Sequence, residues 1–177
     1  MQSNMSLNPL HAGALVLTMC IFGCDVEIIY IDPPIHLIAA PSAEPTGPPH
    51  LELGVYEGTR YTRLEDGASL PVVNGLQGGT WTMPAVRTQG LGAYAELTCA
   101  LETDAGERVG YVSAKTKFFF NGAGSLEVGN FPIPVYHPDR PHDTIEDLFG
   151  VEATLSCSLV NDVDEAHFQA RVIISDG

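Results

Sequence analysis

The sequence predicts an all-β domain built as a two-layer antiparallel sandwich, and three observations carry that prediction. Apolar and polar residues alternate in short runs. Turn pairs such as Asp66-Gly67 and Asn74-Gly75 punctuate the runs, and no stretch keeps a helical period long enough to cover a sheet. The 177 residues include 18 Gly and 13 Pro, a composition that suits many short strands, and no internal repeat suggests a propeller or solenoid. Three segments follow from composition: a leader over residues 1–23, a tether with a Pro-rich linker over 24–49, and one domain over 50–177.

Within the domain each strand has a local reason. Residues 51–56 and 60–64 flank Gly58, and residues 70–73 lie between the two turn pairs. A longer strand over 80–88 follows Gly78-Gly79 and carries the single tryptophan, Trp81. In 94–101 the residues Ala95, Leu97, Cys99 and Leu101 share one face, with Tyr94, Glu96 and Thr98 opposite. Asp104-Ala105-Gly106 turns the chain into 108–113, and 117–120 follows before the turn-like stretch 121–124. Prolines at 132, 134, 138 and 141 leave room for at most a short edge strand over 131–142. Two alternating strands, 153–159 and 168–174, close the domain around the loop 161–166, as an antiparallel pair. Short strands with one apolar face each are buried most simply by packing two sheets together.

The leader is uncharged. Residues 1–23 contain no Asp, Glu, Lys or Arg, and 12–23 form an apolar core of signal-peptide length, too short to cross a bilayer as a helix. It ends in Ile21-Phe22-Gly23-Cys24, which resembles the lipobox of bacterial lipoproteins: a small residue at the cut and a cysteine to carry diacylglycerol. The resemblance implies lipidation of Cys24 and attachment to a membrane through it. Each buried methylene of an acyl chain contributes about 0.8 kcal/mol, so two or three chains anchor stably. An ordinary secretory leader is the alternative. Six prolines in residues 33–49 favour extended, semi-rigid chain, which suits a spacer between anchor and domain.

The net charge of −14 argues against nucleic-acid binding, which needs cations to displace counterions from phosphates. It also disfavours adhesion to anionic lipid, so the anchor has to supply attachment. Two of the four cysteines, Cys99 and Cys157, lie beyond the leader, each on the apolar face of its strand. In an exported chain they are expected to form a disulfide; two buried free thiols are the alternative.

The cysteine spacing and strand pattern resemble an immunoglobulin-like sandwich. The run from Asp147-Leu148-Phe149-Gly150 to Asp162 is similar to the closing half of bacterial Ig-like domains, and Asp66-Gly67 to Gly78-Gly79 resembles a stretch of uncharacterised Gram-negative lipoproteins. That resemblance implies an envelope protein with a sandwich domain. It does not by itself imply an activity.

Candidate chemistry is sparse. His137, Asp139 and His142 lie in one proline-stiffened loop and are the best metal candidates, though their spacing matches no zinc motif and a polar surface loop explains them equally well. Asp162 and Asp164, with Asn161 and Glu165, offer oxygen ligands for calcium without the spacing of an EF-hand. No nucleophile elbow, zinc-protease motif or phosphate loop is present, and no cofactor is expected. Trp81, Tyr94 and Phe118 to Phe120 are candidates for a sugar- or peptide-binding surface, with core packing as the plainer use. The sequence therefore points to a lipid-anchored envelope protein with a non-catalytic binding or structural role toward a protein or glycan partner. A metal-dependent envelope hydrolase using the His137–His142 loop is the alternative.

Overall fold

Ten residues that alternate with period two, Tyr94–Thr103, form the strand from which the architecture is most easily built, because it pairs with a long strand on each side. The computed structural model describes residues 47–75, 78–122, 124–137 and 145–177. In chain order the strands are β1 His50–Glu57, β2 Arg60–Arg63, β3 Ala68–Asn74, β4 Thr80–Thr82, β5 Ala85–Gln89, β6 Tyr94–Thr103, β7 Arg108–Lys117, β8 Phe119–Phe120, β9 Leu126–Val128, β10 Ile133–Val135, β11 Glu152–Val160 and β12 Glu165–Asp176. A 3-10 turn, Ile145–Leu148, precedes β11.

The strands make two sheets around one core. A closed barrel runs β10-β4-β3-β12-β11-β6-β7, and a five-stranded sheet runs β2-β1-β5-β9-β8. Leu53, Val86 and Leu126 of the smaller sheet join Leu97, Leu155, Phe168 and Ile174 of the barrel in one buried cluster. The all-β prediction holds. The expected two antiparallel layers become an antiparallel sheet beside a closed, mixed barrel, because β12 pairs parallel with β3 from Val172↔Ala68 to Asp176↔Val72. β12 is longer than the predicted strand 168–174, and its extra residues at the C-terminal end make part of that pairing.

Prolines explain two further departures. The predicted strand 80–88 breaks into β4 and β5 at Met83-Pro84, where the missing N–H interrupts the ladder and the halves enter different sheets. Segment 131–142 does contain a short strand, β10, but it is not an edge. It bridges β4, through Ile133↔Thr82 and Val135↔Thr80, and β7, through Val135↔Gly110. The β7 side of that seam is thin: beyond the one register pair it has Tyr136 N–H donating to Val109 O at 2.8 Å. The short strand β9 had no counterpart in the sequence reading, and neither had the 3-10 turn.

Cys99 and Cys157 sit opposite each other on β6 and β11 with Cα atoms 4.2 Å apart, and they are disulfide-bonded. Both are buried in the barrel core. The bond therefore ties neighbouring strands of one wall.

Barrel closure depends on a missing side chain. A Cβ on Gly110 would lie 2.7 Å from Pro134 O, so β10 can approach β7 only if residue 110 is glycine. We expect Gly110→Ala to lose about 1–3 kcal/mol, the usual range for overpacking, in urea unfolding. An unchanged midpoint would mean that the seam tolerates the extra methyl group.

Candidate functional site

The most concentrated polar chemistry among the described residues lies on the outer face of the smaller sheet. In β1 the odd-numbered positions Leu51, Leu53 and Val55 face the core, so Glu52, Gly54 and Tyr56 face outward. Register then aligns Glu52 with Arg87 of β5, Arg87 with Glu127 of β9, and Glu127 with Phe119 of β8. Tyr61 of β2 stands opposite Tyr56.

These side chains lie flat across the sheet and cover one another. Glu127 has no exposed side-chain surface although it points away from the core. Its Oε1 accepts from the Tyr56 hydroxyl at 2.6 Å, and its Oε2 accepts from Arg87 Nε at 2.8 Å and from Asn121 Nδ2 at 3.0 Å. Arg87 Nη2 also donates to the Tyr56 hydroxyl at 3.0 Å. The guanidinium stacks 3.4 Å from the centroid of the Tyr61 ring, and Tyr56 meets that ring edge-on. Gly54 makes room for the stack, since a Cβ there would come within 2.3 Å of the Tyr61 ring. Arg63 extends the row of alternating charge, 3.8 Å from Glu52.

Burial sets the protonation states against the hydrogen bonds. Burial alone pushes the Glu127 carboxyl up, but donation from Tyr56, Asn121 and Arg87, with the Arg87 charge, holds it below the ordinary carboxylate range. Burial also works against the Arg87 cation, and Glu127 and Tyr56 outweigh it, so its pKa is raised. The Tyr61 hydroxyl is buried without a hydrogen-bond partner among the described residues. That burial, with the Glu52 carboxylate nearby, pushes the phenol well above its usual value. Glu127 is thus an ionised carboxylate held by three side-chain donors. Such a group fixes its neighbours and is poorly placed to exchange protons with a substrate.

The residues singled out from sequence are dispersed. Phe118 is buried and Trp81 belongs to the barrel strand β4, whereas Tyr94 is 67 % exposed. Lys117 Nζ lies 5.6 Å from the Tyr94 ring centroid and 5.4 Å from that of Phe119, which continues the outer-face row to the junction with the barrel. His137 is half-buried just after β10, while Asp139, His142 and Cys24 lie outside the described residues. Among the described residues no group of three or more His, Cys, Asp or Glu side chains is arranged to hold a metal. In the β11–β12 loop, the Asn161 side-chain oxygen accepts from Val163 N at 2.8 Å and Asp164 N at 2.7 Å, while Nδ2 donates to Leu91 O at 2.8 Å. Asn161 therefore shapes the loop, and Asp162 and Asp164 stay exposed at its tip.

Sequence reasoning passed over Arg87, Glu127, Tyr56, Tyr61 and Asn121. A signal was present: Glu127 stands between Leu126 and Val128, and Arg87 between Val86 and Thr88, each a lone charge inside a strand. Compared with known protein families, curated proteins and solved structures, the chain has no significant match in any of the three.

Removing one partner of the pair should cost more than removing both. We expect Arg87→Met to lose about 3–5 kcal/mol by stranding the Glu127 charge, and Arg87→Met with Glu127→Leu to recover most of it. Equal losses in the single and double variants, read by denaturant unfolding, would contradict that coupling. The depressed folded-state pKa of Glu127 adds stability that is present above its unfolded value, about 4.3, and disappears as pH falls through the lower folded value. The Tm gap between wild type and Glu127→Gln should therefore be widest near neutrality and shrink below about pH 4. A gap independent of pH would show that the carboxylate charge is not what stabilises.

Proposed function

We propose that this chain is a cell-envelope lipoprotein whose domain serves as a non-catalytic binding or structural module. Lipid on Cys24 holds it to the membrane, residues 24–49 space it from the surface, and the domain over 50–177 faces the periplasm or the cell exterior. The observation that carries the reading is the buried Cys99–Cys157 disulfide, a bond that persists in oxidising compartments and is rare in the cytosol. It supports export, and the apolar run ending in Gly23-Cys24 supplies a route and an anchor.

The same proposal extends to kinship. We infer that the domain is a variant of the immunoglobulin-like sandwich, with β7-β6-β11-β12 as its stapled antiparallel wall. Within that reading, the parallel β3–β12 pair is the modification that closes one layer into a barrel. What favours a binding or structural role is the extent of fixed, outward-facing polar and aromatic surface on a scaffold with one continuous core.

Intact mass of the protein extracted from membranes, with and without reduction and thiol alkylation, tests the reading. A chain starting at Cys24 with acyl chains attached, and labelled at Cys99 and Cys157 only after reduction, is the expected result. An unlipidated mass would end the anchor, and labelling before reduction would end the argument for export.

A further inference from the structure

We propose that Tyr94, Lys117 and Phe119 form a binding site for acidic saccharides, with a sugar ring on the exposed Tyr94 face and its carboxylate on Lys117. This deepens the binding-module reading and rests on it.

The site lies where the two sheets join. β7 ends at Lys117, the buried Phe118 crosses the junction with its N–H on Ala93 O at 2.8 Å, and β8 begins at Phe119. The period-two rule then turns Lys117 and Phe119 to the same side of the chain, and register places Tyr94 opposite Lys117. The crossing is pinned by a buried aromatic, so the three outward groups are held by the scaffold.

Tyr94 is the most exposed of the aromatic side chains that stand out from the surface, at 67 %. The lysine between the rings forms no ion pair with a carboxylate among the described residues, although the chain as a whole is strongly acidic. Lys115 stands two positions away on the same face, and Glu96, opposite it, already accepts from Ser113 Oγ at 2.9 Å. A cation held against two rings without a carboxylate partner, beside the ring surface that Tyr94 still exposes, is a two-part recognition surface. The negative ring face attracts the C–H edges of a pyranose, and the ammonium forms a charge-assisted hydrogen bond with a carboxylate.

Other ligand classes fit less well. Peptide strands add along a sheet edge through main-chain hydrogen bonds, whereas Tyr94 and Lys117 project side by side from the outer face of the β6–β7 pair. An anionic bilayer is captured by clusters of four or more free cations, whereas on this wall Arg108 is committed to Glu102 and Arg171 to Asp104 and Glu152, which leaves Lys115 and Lys117. A shallow two-point site gives weak affinity, which suits repeated engagement along a polymer.

The test is calorimetric titration of the purified full chain with trigalacturonate and with its uncharged methyl ester. We expect trigalacturonate to bind, and Tyr94→Ala and Lys117→Gln each to weaken it by about tenfold or more, the effect of losing one good contact. The ester should bind wild type correspondingly less well, and Tyr111→Ala, an exposed aromatic elsewhere on β7, should bind like wild type. No binding at about 10 mM trigalacturonate, equal affinity for the ester, or indifference to Tyr94→Ala would each overturn the site. Such failure would leave the membrane anchor untouched, since that is read by mass and not by binding.

Discussion

Cys99 and Cys157 face each other across β6 and β11, and the rest of the barrel can be traced outward from that pair. β6 carries β7 on its far side and β11 carries β12, so the bond sits in the middle of a four-stranded antiparallel wall. With the cysteines 58 positions apart, the crosslink removes loop-closure entropy from the unfolded chain worth about 4 kcal/mol in the chain-entropy model. The intervening segment includes β7, β8, β9 and β10, so it contains both crossings between the barrel and the second sheet that follow β6. A wall fixed in register can then be closed by weak seams. The closing strand β10 needs only three residues, and the approach to Gly110 does what a longer ladder would otherwise do.

The smaller sheet solves a different problem. One of its faces packs on the shared core, and the other carries Glu127, a carboxylate removed from water by its own neighbours. Three donors satisfy it, and the Tyr61 ring and Arg87 form the lid. Such a network is rigid when complete and costly when broken, which makes it a means of holding short strands in place. β8 and β9 are two and three residues long, too short to be kept by ladder bonds alone, and Asn121 and Glu127 tie their turn to β5 and β1. The same row leads through Phe119 to Lys117 and Tyr94, so the rigid interior of the sheet supports its exposed end.

Much of this was legible from the residues. Alternation located β1, β6, β11 and β12 to within a few positions, because half-buried strands must alternate, and the apolar placement of both cysteines anticipated their bond. Closure was not legible. A parallel β3–β12 contact leaves no local signature, since it joins residues about a hundred positions apart, and β10 disguises itself with Pro134 in an interior strand. The Glu127 network was hidden for a related reason: its members come from five separate places in the sequence, and only the register between strands brings them together. The loop histidine His137 was visible at once, but its proposed companions Asp139 and His142 lie outside the described residues.

A stapled wall is closed into a barrel through β3 and β10. Native-state amide hydrogen exchange of the oxidised chain tests it most directly, because a barrel strand paired on both sides opens only with its neighbours. Paired amides of β3 and β12 should exchange as slowly as those of β6 and β11, all through global unfolding. Fast exchange along β3, with slow exchange confined to β6, β11 and β12, would contradict closure and return the domain to an open sheet.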